Sequence, residues 1–279
     1  MLRTNTSQVR TALVVALALT AATAVRSDND DHKDKERQKP QGSDCKDLPS
    51  HAQLRAALKA VVDIGGTNNG GLALNMWATV VNRDGVVCTV AFSGDDRGDQ
   101  WPGSRVISAQ KANAANAFSL PELALSTANL YSAVQPAGTL FGLQESNPVD
   151  PSVAYKGPSK NYGQHNDPMV GQKIGGINVF GGGLALYTKD GDLVGALGVS
   201  GDTSCTDHII AWKIRHRLNL DNVPAGVSAT HDDNIIHDVT VDPNGHLVSG
   251  SGFGHPRCDS NATAIAAGLP TAYPIGPNP

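Results

Sequence analysis

The sequence predicts an α/β fold, with about five mainly antiparallel strands packed with helices and a C-terminal extension. Three observations carry this. Apolar residues recur at helical spacing in several separate segments. Runs of strand-forming residues are joined in pairs by Asp-Gly turns, the mark of antiparallel hairpins. Helical segments lie between the two hairpins, and no repeat of 20–50 residues is visible.

The elements follow in order. Residues 1–24 have Arg3 and Arg10, an apolar run from Thr11 to Val25, and Ala22-Thr23-Ala24 at the exit. That is the layout of a cleaved signal peptide, and the run is too short to span a bilayer. Residues 25–44 read as a disordered linker, because RSDNDDHKDKERQKPQ holds no large apolar side chain. The main domain is expected over residues 45–222. Leu54, Ala57, Leu58, Val61 and Val62 predict an amphipathic helix over 50–63. Strands are expected at 72–81 and 86–92, around Asn82-Arg83-Asp84-Gly85. The alanine-rich segment 104–118 reads as a second helix. Ser119, Pro121 and Glu122 look like the capping box of a third, reaching Tyr131. Residues 135–174 have no period and read as a long functional loop. Strands are expected at 177–180, 184–187 and 193–200, and a helix from Thr206 to Leu218. Residues 223–279 form the extension, with a hairpin over 235–249 and a Gly/Pro-rich tail.

Composition narrows the function. Only 17% of the 279 residues are charged, against roughly 25% in an average domain, which excludes a disordered polyelectrolyte. Residues 1–43 take seven of the 22 basic and five of the 26 acidic side chains. The remainder has 15 basic and 21 acidic residues, a net of −6. An acidic folded part argues against nucleic acid as a partner and against anionic membrane. After cleavage no membrane insertion is expected, and the chain should be secreted or periplasmic.

Several phrases together resemble the GlcG/HbpS-like family, also called the haem-degrading-domain family. They are VVNRDGVV after the first helix, Ser108-x-x-Lys111-Ala112, Ser119-Leu120-Pro121, and GGLALYTKDGDLVGALGVSGDTSCTDHIIAWKIR at 182–215. The resemblance covers roughly residues 48–218. It implies a profilin-like fold with a five-stranded antiparallel sheet, homo-oligomers, and binding of haem or a related ligand. Some members carry a Glu-x-x-Glu pair on the first helix. Here that helix reads HAQLRAALKAVVD, so iron binding is not carried over.

The candidate ligand site combines three regions. Arg105, Ser108 and Lys111 lie on one face of the alanine-rich helix, where a cation can hold a carboxylate or haem propionate. Tyr162 and His165 in the long loop can reach a pocket, and a neutral imidazole is a common metal or haem ligand. Gly181-Gly182-Gly183 would let a flat ligand approach the backbone. The expected ligand is haem or another small planar or anionic molecule. Two other readings stand beside it. One is an enzyme of unknown reaction using Lys111, and the other is a non-catalytic protein that forms oligomers. Gly198-Val199-Ser200-Gly201 matches Gly-x-Ser-x-Gly only in part and reads as a strand end.

Four cysteines in an exported chain predict disulfides. A helix feeding directly into the first strand must run back along it. That places Cys45 near Cys88, and leaves Cys205 for Cys258 in the returning tail. The alternative is zinc, for which Cys205-x-x-His208 and His255-x-x-Cys258 supply four ligands.

Overall fold

The computed structural model describes residues 44–276. The signal segment and the linker up to Ser43 lie outside the described residues.

The centre is a four-stranded antiparallel sheet in the order β2-β1-β4-β3. Its strands are β1 (Trp77–Asn82), β2 (Val87–Phe92), β3 (Gly183–Tyr187) and β4 (Leu193–Ser200). Asn82 shapes the first hairpin, accepting the amides of Asp84 and Val86 on Oδ1 at 3.0 and 2.9 Å. Gly85 supplies the positive φ, +73°, that the turn needs.

Helices cover both faces. On one lie α1 (His51–Val61) and α4 (Ser204–Arg217), packed with Ala78, Val80, Leu184, Leu186, Leu197 and Val199. On the other lies α2 (Ser104–Phe118), whose Ala109, Ala112 and Ala115 meet Trp77, Val81 and Ala196. Sheet residues of both parities are therefore buried, and every position of β1 is inaccessible. Ser50 and Gln53 cap α1 reciprocally. A short helix, α3 (Pro151–Ala154), sits inside the long loop.

The fold class is as predicted, with one strand fewer. Residues 177–180 form no strand, because the amides of Ile177 and Val179 are taken by a neighbouring loop. Ile177 donates to the Asn147 carbonyl at 3.1 Å and Val179 to the Gln144 side chain at 3.2 Å. The expected third helix does not form. Ser119 is the C-cap of α2, and its Oγ exchanges bonds with the backbone of Leu125. Leu120 and Leu123 close a tight turn on each other, and Thr127 donates its amide to Gly183 at 3.0 Å. Pro121 also disfavours helical geometry at Leu120.

The tail holds a hairpin of β5 (Val239–Val241) and β6 (Leu247–Ser249), shorter than expected, and an unforeseen helix, α5 (Ser260–Ala272). Asp259 caps α5 by accepting the Ala262 amide at 2.8 Å. Pro270 is tolerated in its last turn. Ala262, Ala266 and Leu269 bury against the α4 side of the core. Disulfides join Cys45 to Cys88 and Cys205 to Cys258.

Candidate functional site

The structure separates the residues that the sequence placed in one site. Arg105 is buried and forms a two-pronged pair with Asp167, with Nε 2.8 Å from Oδ2 and the terminal nitrogen on Oδ1. Its other nitrogen donates to the Ala154 carbonyl at 2.7 Å, and the guanidinium lies 3.7 Å over the ring of Tyr162. Asp167 also accepts the amides of Gly163 and Met169 at 2.8 and 2.9 Å. Arg105 therefore ties the long loop to α2, and only its edge faces a cavity.

Ser108 is fully buried, its Oγ 2.7 Å from Thr79 and 2.7 Å from the Arg105 carbonyl. Lys111 is also buried. Its Nζ lies 2.6 Å from Asp207 and 3.2 Å from the Val199 carbonyl. Burial pushes the Asp207 carboxyl up to about 6, against the pull of Lys111. Gly181, Gly182 and Gly183 are packed by protein. A Cβ on Gly181 would stand 2.3 Å from the Ser204 carbonyl, and one on Gly183 would stand 2.4 Å from Thr127. Their lack of side chains lets this loop meet α4 and Thr127, so no flat ligand enters there. Ser108, Lys111 and the triglycine are therefore buried apart from Tyr162 and His165 of the loop.

Among the described residues, one cavity of about 240 Å³ lies between residues 132–139 and β6 and is lined by none of the predicted residues, and two further concave places lie beside the long loop. The first is a cavity of about 170 Å³ between the start of α2 and the loop, walled by Trp77, Arg97, Pro102, Arg105, Tyr155 and Tyr162. Trp77 stacks on Phe92 at 4.4 Å, and its indole N–H is buried with no acceptor. The second is an open groove of about 510 Å³ along α1, lined by His51, Ala52, Arg55, Ala56, Lys59 and Gln164. His51, Arg55 and Lys59 share a face because they are four residues apart. The His51 Nε2 lies 2.9 Å from the Gly163 carbonyl. A carbonyl only accepts, so Nε2 donates in this bond and Nδ1 is the other ring nitrogen. Exposed His165 stands 6.4 Å from His51, ring to ring. Arg55 and Lys59 both approach the exposed Asp95, each at 3.6 Å.

The groove's residues suit haem. An imidazole held through its other nitrogen is the common form of a metal-ligating histidine. Ala52 and Ala56 leave a low apolar floor, and Arg55 and Lys59 match two propionates. The Trp77 cavity is below the roughly 300–1,000 Å³ typical of sites for larger ligands and does not enclose a macrocycle. Of the predicted residues, His165 stands beside the groove, whereas Tyr162 and Arg105 border the cavity. His51 was missed. Its one signal was the His-x-x-x-Arg-x-x-x-Lys spacing on the first helix, and its loop partners are more than 100 residues away.

A four-stranded antiparallel sheet covered by helices on both faces, with an imidazole- and cation-lined groove beside it, defines a small α/β protein with a ligand-sized surface cleft. The chain belongs to the HbpS-like family. The family model described as "Haem degrading protein HbpS-like" matches residues 50–215. Among solved structures, it is similar to the Klebsiella pneumoniae protein ORFY at 23% identity and a TM-score of 0.40, covering 60% of this chain and 86% of that one. It is also similar to a PduOC–haem complex at 23% identity and a TM-score of 0.42, covering 64% of this chain and 96% of that one. No curated protein matches the chain.

Proposed function

We propose that this protein binds a planar anionic ligand, with haem the first candidate, in the groove between α1 and the loop around Gly163. The observation that carries the reading is His51. Its Nε2–H is fixed on the Gly163 carbonyl, and its helix presents Arg55 and Lys59 beyond it. Membership of the HbpS-like family supports haem as the ligand class. In this reading His51, whose ring lies 6.4 Å from that of His165, would supply the imidazole for iron. Arg55 and Lys59 hold the propionates, and Ala52 and Ala56 receive the macrocycle. Haem bound there supplies an iron centre, and the chain's part is to hold and orient it. The test is a haemin titration of the protein, followed at the Soret band. A saturable shift at one equivalent is expected, and its absence removes haem from the reading.

The Trp77 cavity favours a second, smaller ligand. Its aromatic walls and Arg97 suit a small aromatic carboxylate. Quenching of tryptophan fluorescence by benzoate-type acids checks this, and no saturation would contradict it.

Export and self-association belong to the same proposal. Two disulfides fit an oxidising compartment, and no described helix is long and apolar enough to cross a membrane. A homo-oligomer is the family expectation, and light scattering that returns only the monomer mass would remove it. In a domain over 45–222 with 223–279 as an extension, the extension would act as a brace for α4, since α5 packs there.

A further inference from the structure

The Cys205–Cys258 disulfide lies beside two histidines that take no part in the groove or the Trp77 cavity. Cys205 Sγ and one ring nitrogen each of His237 and His255 all lie within 4.8 Å of one another. Both ring nitrogens of His237 are buried and make no hydrogen bond of good geometry, with only weak interactions from the backbone of His255 and Pro256. Buried nitrogens left unpaired are rare in folded proteins, and a bound ion is one way to satisfy them. In His255, Nδ1 donates to the Pro256 carbonyl at 2.8 Å, which leaves the Nε2 lone pair, with only a long 3.4 Å contact from the Gly181 amide. The Cys258 sulfur is bonded to that of Cys205 and so is within reach of the same point. His208, which the Cys205-x-x-His208 spacing suggests as a ligand, is turned to Asn234 at 3.2 Å. His237 stands in its place.

We propose that opening the Cys205–Cys258 disulfide creates a Cys₂His₂ site for a zinc-class divalent cation, with Cys205, Cys258, His237 and His255 as ligands. In the oxidised chain the two sulfurs satisfy each other and the site is closed. A dithiol delivers two electrons and two protons to the S–S bond and is itself oxidised to a disulfide. The two cysteine thiols then lose their protons to solvent as they bind the cation, whose oxidation state does not change. Two thiolates and two neutral imidazoles form a standard tetrahedral zinc set.

Cobalt(II) titration of the full chain tests this, with and without a phosphine reductant that takes oxygen from water to become phosphine oxide. The reduced chain should bind one Co²⁺, with a thiolate-to-cobalt charge-transfer band that Zn²⁺ abolishes. The oxidised chain should show no such band. His237→Ala should weaken binding by tenfold or more, which also separates this site from thiols freed at Cys45 and Cys88. Equal uptake by the oxidised chain, no uptake by a folded reduced chain, or indifference to His237→Ala would each overturn the proposal. Should reduction unfold the chain, Cys258→Ser decides. It frees the Cys205 thiol without reductant and keeps Cys45–Cys88, so it should give a one-thiolate cobalt band, and no band overturns the site.

Discussion

Removing the guanidinium of Arg105 would leave Asp167 buried beside α2 without its charge partner, while Asp167 still holds the amides of Gly163 and Met169. Breaking one side of such a pair costs about 3–5 kcal/mol, so Arg105→Ala should lose that much in urea unfolding. Arg105→Lys should also destabilise, because an ammonium cannot reproduce the fork onto Asp167 and the bond to Ala154. Acid should act through histidines. Burial lowers His208 to about 3 and His255 to about 4, and lowers His237 as well. The unfolded chain then binds more protons than the folded one below an ordinary histidine value of about 6.5, so stability falls as pH drops from there toward 4. Asp207, raised to about 6, and Asp221, also raised by burial, act in the opposite sense over part of that range, but they are two groups against three. Denaturant midpoints should therefore fall between pH 6.5 and 4, and a flat profile would contradict the buried neutral imidazoles.

At the scale of elements, α2 depends on absent side chains. A Cβ on Gly198 of β4 would stand 1.9 Å from the Ser108 carbonyl and 2.4 Å from the Ala112 amide. Gly198→Ala should force α2 off the sheet and cost at least about 1–3 kcal/mol, read as a lower Tm. The small-residue pattern at Ala109, Ala112 and Ala115 made this close approach legible in the sequence. Periodicity also located α1, α2 and α4 to within a residue or two, since each buries one stripe against the sheet. It failed at 119–131, where a good capping pattern met a stretch whose amides are claimed by the Ser119 hydroxyl and the carbonyls of Ala225 and Gly183. It also failed at α5, where Gly268 and Pro270 hid a helix stabilised mainly by its packing on α4.

Across the whole molecule, two disulfides close loops of 43 and 53 residues. By the chain-entropy relation the first contributes about 4 kcal/mol, so Cys45→Ala/Cys88→Ala should lower the denaturation midpoint without changing the sheet, as far-ultraviolet circular dichroism would report. The site was less legible than the fold. Lys111, Ser108 and the triglycine are held inside by tertiary pairing that no local pattern reveals. His51 and His165, 114 positions apart, become neighbours only when Gly163 docks its carbonyl on the start of α1. That docking is the centre of the functional account. Haemin titrations of wild type and His51→Ala, followed side by side at the Soret band, test it most directly. One saturable site is expected in wild type and a loss of affinity of about tenfold or more in the variant; identical curves for the two proteins would contradict a role for His51 in holding haem.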